Sequence, residues 1–165
     1  MNTITNRTKQ ETFTGTCTGT INGAAFNAGL VELSERTYPL PHGEAHVMFA
    51  RDRAPAPDYT TKEITLSFTK GLEAGRYELT RDSSQVRLTY LDNSDPEKPM
   101  IYTQEVGDAH LEYDDASGVF SGRVSALVEN RDDDTPRTRQ ITVEFEADRS
   151  AVSRNRRGAR RPLAA

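Results

Sequence analysis

The sequence predicts an all-β fold: an antiparallel β-sandwich of about ten short strands, with an up-and-down β-barrel as the alternative and a flexible basic C-terminal tail. Three observations carry this. Apolar side chains recur with a period of two along most of the chain. Gly, Pro, Asn and Asp clusters punctuate that alternation at short intervals. Asn22-Gly23 stands between two alternating runs and supplies the two positive φ angles of a tight hairpin turn.

The elements follow in order. In Thr12 to Ile21 every even position is Thr, while Phe13, Gly15, Cys17, Gly19 and Ile21 occupy the other face. β-branched side chains fit a pleated surface and lose rotamer freedom in a helix, so this run is a strand. It turns at Asn22-Gly23 into Ala24 to Leu33. Phe26, Leu30 and Leu33 also fit helical spacing, which makes Asn27 to Arg36 a candidate short helix. Further strands are marked by Ala45, Val47 and Phe49, by Ile64, Leu66 and Phe68, by Tyr77 and Leu79, and by Val86, Leu88 and Tyr90. Tyr102 and Val106 share a face, and Leu111 goes with Tyr113. Phe120, Gly122, Val124, Ala126 and Val128 form the longest one-sided run, and Ile141, Val143, Phe145 and Ala147 complete the set.

Composition is consistent with this and narrows the class. The 165 residues suit one domain. Only 31 are Leu, Ile, Val or Phe, a low share that an antiparallel sheet tolerates because one face alone must be apolar. No apolar run approaches the roughly 18 residues of a membrane span, and the polar start lacks a secretory signal, so a cytoplasmic location is expected. One Cys excludes an internal disulfide framework and a zinc site built on Cys pairs. The net charge of −4 divides unevenly. Arg149, Arg154, Arg156, Arg157, Arg160 and Arg161 give the stretch 149–165 a charge of +6, leaving −10 on residues 1–148. The expected organisation is a polar arm over 1–11, a β domain over 12–148 and an Arg-rich tail over 149–165.

Several strings invite a chemical reading. His42-Gly-Glu-Ala-His46 resembles a metal-binding string. The His-x3-His spacing binds zinc on a helix, whereas in an extended chain four residues span about 13 Å. Glu44 and His46 together with His110 are the weak metal candidates, set against a loop histidine and a solvent-facing strand histidine. Cys17, on the apolar face of its strand, reads as a small core residue rather than a nucleophile. Asp114-Asp115 and Asp132-Asp133-Asp134 read as turn acids, without the spacing of a calcium loop. Glu144 and Glu146 share a polar sheet face. Phosphate-binding and nucleophile-elbow motifs are missing, and Ser117 to Gly122 resembles the latter only in composition.

No catalytic residue and no cofactor is therefore assigned, and the balance leans away from an enzyme. The favoured reading is a soluble, non-enzymatic binding or interaction module acting through an exposed sheet face or the Thr-rich first hairpin. Its partner would be a protein or a small ligand, or a second copy joined through sheet edges. Three alternatives are carried: a barrel holding a small molecule, a polyanion bound by the six tail arginines, and a metal-dependent enzyme using Glu44, His46 and His110. Counterion release would drive the tail reading, but the acidic body argues against nucleic acid.

Overall fold

A computed structural model of the chain describes residues 15–132 and 136–148. Ten strands and no helix make up these residues. They are β1 (Gly15–Ile21), β2 (Ala24–Asn27), β3 (Leu30–Thr37), β4 (Glu44–Arg53), β5 (Thr61–Thr69), β6 (Gly75–Glu78), β7 (Val86–Asp92), β8 (Met100–Asp114), β9 (Val119–Asn130) and β10 (Arg137–Asp148). The all-β antiparallel expectation holds. The candidate helix over 27–36 is instead the end of β2, a two-residue link and β3.

All ten strands belong to one sheet of order β2-β1-β10-β9-β8-β7-β5-β4-β3, with β6 paired to β8. The sheet curls into a half-barrel, so the facing layers of the expected sandwich are two halves of one sheet in up-and-down order. Its edges, β2 and β3, are consecutive in sequence. Ala28 donates its backbone N–H to Cys17 on one side, and Gly29 donates to Arg51 on the other. Two residues thus pass the chain from one edge of the sheet to the other.

Local chemistry explains the turns and close approaches. Asn22 (φ 50°) and Gly23 (φ 81°) make the expected tight hairpin, and Asn22 Oδ1 also accepts from the backbone N–H of Gln140 at 2.7 Å. Gly122 lets β9 lie against β8, because a Cβ there would sit 2.1 Å from the His110 carbonyl oxygen. Asp114 closes the β8–β9 turn by accepting from the Ala116 N–H, the local bond that suits Asp to turns.

The core lies inside the curl. Phe68 of β5 stacks on Phe120 of β9 at 5.6 Å between ring centres, and Phe120 meets Phe145 edge-on at 4.9 Å. Tyr90 and Tyr102 fill the space between β7 and β8. Cys17 is fully buried among these apolar side chains, and burial pushes its thiol up to about 12, which keeps it protonated and unreactive at neutral pH.

Two expected faces differ. In β4 the inward residues are His46, Met48 and Ala50; Ala45 and Val47 are buried from the other side. In β8 a bulge between Gln104 and Val106 turns Val106 out to solvent, so it does not share the face of buried Tyr102.

Candidate functional site

The β3–β4 loop, residues 38–43, bends at Pro39, turns through Leu40, Pro41 and His42, and returns over the outer face of the sheet. Beneath it, β5 presents Thr65, Ser67 and Thr69 outward, because Ile64, Leu66 and Phe68 face the core. Register places Arg87 of β7 directly beside Ser67, and Thr89 beside Thr65. Val47 flanks Ser67 on the β4 side, covered and buried. Loop and strands together enclose a concavity of about 390 Å³, with Tyr38, Pro39 and Pro41 as an apolar wall over Thr65, Ser67, Thr89, His42 and Arg87.

His42 is the centre of the polar network. Its Nδ1 donates to the Ser84 carbonyl, and its Nε2 lies 2.8 Å from Ser67 Oγ. The Thr69 hydroxyl donates to the His42 carbonyl at 2.9 Å, so its oxygen meets Nδ1 only as an acceptor. A carbonyl has no proton to give, so the ring proton sits on Nδ1. In the neutral ring Nε2 then keeps a lone pair, and the Ser67 hydroxyl must donate to it. Burial lowers the His42 pKa below its ordinary value, helped by the nearby Arg87 cation and opposed by the Ser84 hydrogen bond. The ring is therefore held neutral at neutral pH. Tyr38 packs against it at 5.0 Å between ring centres.

Arg87 is exposed and donates to the Ser83 carbonyl at 3.1 Å; among the described residues no carboxylate pairs with it. The pocket lining holds this one cation and no acid. Three other concavities each contain a carboxylate: Asp58 and Glu63 in one of about 370 Å³, Asp52 in one of about 300 Å³, and Asp92 in one of about 210 Å³. In the first of these Glu63 already engages Arg51 at 2.9 Å. The Tyr38–Arg87 pocket thus differs in carrying uncompensated positive charge.

The metal candidates are not brought together. His46 is in the core, stacked on Tyr113 at 3.6 Å, rather than facing solvent. Glu44 is exposed beside Lys70, and His110 is exposed on β8 between Arg76 and Arg123 in register. His42 and His46 lie on opposite faces of the sheet. Among the described residues no three His, Cys, Asp or Glu side chains are grouped to hold a metal ion. Glu144 and Glu146 are exposed opposite Thr18 and Thr16. The tail arginines 149, 154, 156, 157, 160 and 161, the arm over 1–11, Phe13, Asp133 and Asp134 lie outside the described residues. Among the described residues no helix is long and apolar enough to cross a membrane.

Sequence reading singled out His42 but missed its partners. Ser67 and Ser84 are 25 and 42 residues away, and only the strand register joins them. Fold and site define a curled antiparallel sheet with a cationic pocket on its convex face. Compared with known proteins, the chain gives no significant match to a family model, a curated protein or a solved structure.

Proposed function

We propose that the protein is a binding module that takes a small carboxylate-bearing ligand in the pocket between Tyr38 and Arg87. The observation that carries this is the acid-free lining around a guanidinium that pairs with no carboxylate among the described residues, in a volume suited to a small molecule. A carboxylate accepts the two-pronged donation a guanidinium offers, and the Ser and Thr hydroxyls serve its remaining lone pairs. Tyr38, Pro39 and Pro41 form a surface for the apolar part of the ligand. The inside of the curl is occupied by Tyr90, Tyr102, Phe68 and Phe120, which favours the outer face over an interior cavity as the place of binding.

Calorimetric titration with small aliphatic and aromatic carboxylates, each beside its neutral amide, tests the reading. The carboxylate is expected to bind and the amide to bind weakly, with Arg87→Gln reducing carboxylate affinity by about 10-fold to 100-fold. That range corresponds to about 1.5–3 kcal/mol for a charged hydrogen bond. Equal binding of acid and amide, or an Arg87→Gln variant that binds as the parent does, would count against it.

A further inference from the structure

We infer that Ser67 is an acyl acceptor, activated by His42, for small esters that enter the Tyr38–Arg87 pocket. The inference goes beyond ligand binding, and its choice of substrate rests on the carboxylate reading of Arg87.

Four features of the site carry it. The Ser67 hydroxyl and His42 Nε2 are 2.8 Å apart, the reach a general base needs to take a proton from a nucleophile. The Ser84 carbonyl holds the opposite ring nitrogen, fixing both the tautomer and the plane of the imidazole. That is the orienting role the third member of a nucleophile–base–orienter arrangement performs. The pair forms part of the lining of a pocket of about 390 Å³, with Ser67 only 3% exposed. Arg87, the cross-strand neighbour of Ser67, lines the same pocket.

The step balances without a further reactant. Ser67 Oγ forms a bond to the acyl carbon while its proton passes to His42 Nε2. The bond from acyl carbon to the leaving alcohol oxygen breaks, and that oxygen takes the proton from Nε2. The products are a Ser67 ester, free alcohol and neutral His42. Water repeats the sequence in reverse, giving up its proton through Nε2 to Ser67 Oγ and releasing the acid. Thr65 and Thr89 contribute hydroxyl donors to the same pocket, and Arg87 holds a carboxylate at the far end of the acyl chain. Short esters whose acyl part ends in a carboxylate are the class this arrangement fits.

The experiment uses the full chain with two probes, p-nitrophenyl acetate and mono-p-nitrophenyl succinate. Released nitrophenolate is followed, and peptide mass mapping locates the acyl group. One acyl group per chain is expected, on Ser67, and none at that site in Ser67→Ala. His42→Gln is expected to slow acylation by about 100-fold or more, the lower end of what a general base contributes. The succinate ester should react faster than the acetate in the parent, and Arg87→Gln should erase that advantage. An acyl group placed elsewhere, or none, overturns the inference, and this is read in the parent protein whether or not a variant folds. Unlabelled Ser67 with intact carboxylate binding removes the acyl chemistry alone. Labelled Ser67 without a preference for succinate removes the Arg87 reading alone.

Discussion

Gln104 is buried where β7 ceases to pair with β8, and its side chain completes the hydrogen bonding of that junction. Its Oε1 accepts from the Leu88 N–H at 2.6 Å, and its Nε2 donates to the carbonyls of Thr80 and Val86 at 2.8 and 3.1 Å. Backbone groups without ladder partners are thereby satisfied by one amide. Gln104→Leu conserves shape but leaves a buried donor and two acceptors unmatched, each costing about 1–3 kcal/mol. Partial relaxation toward water should hold the net loss to roughly 2–4 kcal/mol. Urea unfolding measures it; a loss below about 1 kcal/mol would mean that other groups serve that backbone. Nothing in the sequence marks this residue. Period two puts Gln104 on the inward face with Tyr102, but a polar side chain there gives no sign of the backbone groups it serves, and the bulge that follows it expels Val106.

The loop over 38–43 and the strands beneath it behave as one element, because His42 fastens the first to the second. The same loop explains why β4 is hard to read. Strand β4 is covered on both faces, by the core on one side and by the loop on the other, so apolar residues occupy both: Ala45 and Val47 outside, Met48 and Ala50 inside. Period-two patterning identifies the strand but not which face is which, and His46 is consequently read as solvent-facing. Strands whose outward positions are polar are legible: β5, β7, β9 and β10 place the expected residues inward, even where the loop covers Ser67 of β5. A pH response follows from the fastening. The native pKa of His42 lies below its ordinary 6.5, so the unfolded chain takes up the proton first as pH falls. The stability that His42 contributes is therefore lost from about pH 6.5 down to its native pKa. Protonation would also deprive the Ser67 hydroxyl of its acceptor and set a second cation beside Arg87. Calorimetric melting between pH 7.5 and 5 should show a steeper fall for the parent than for His42→Gln. Parallel falls would remove His42 as the source.

At the scale of the whole molecule, the order of the sheet is a continuous meander opened at an unusual place. From β3 through β10 each strand lies beside its successor, apart from the short β6, and the N-terminal β1 then follows the C-terminal β10 and leads to β2. Gly15 is in register with Ala147, so the two ends of the described chain are neighbours on adjacent strands. The core runs through this junction: Cys17 and Ile21 belong to the same buried cluster as Phe145 and Ile141. No local pattern announces such a pairing, since strand periodicity gives the faces and leaves the order open. The arrangement implies that β10 and β1 can be joined covalently without disturbing the sheet. Joining Asp148 to Gly15 through an engineered linker in place of residues 149–165 and 1–14, and opening the exposed β7–β8 loop between Asp95 and Pro96, should preserve every strand pair. Loop-closure entropy grows only logarithmically with length, so the permuted chain should keep its stability to within about 2 kcal/mol. Far-ultraviolet circular dichroism and urea unfolding decide the matter. A permuted chain without native-like β signal, or one far less stable, would show that β1 joins the sheet only when it precedes β2–β10 in the chain. Retention of the fold would also leave the Tyr38–Arg87 pocket intact, because β4, β5 and β7 pair with one another without using β1. Ligand affinity in the permuted chain should then equal that of the parent.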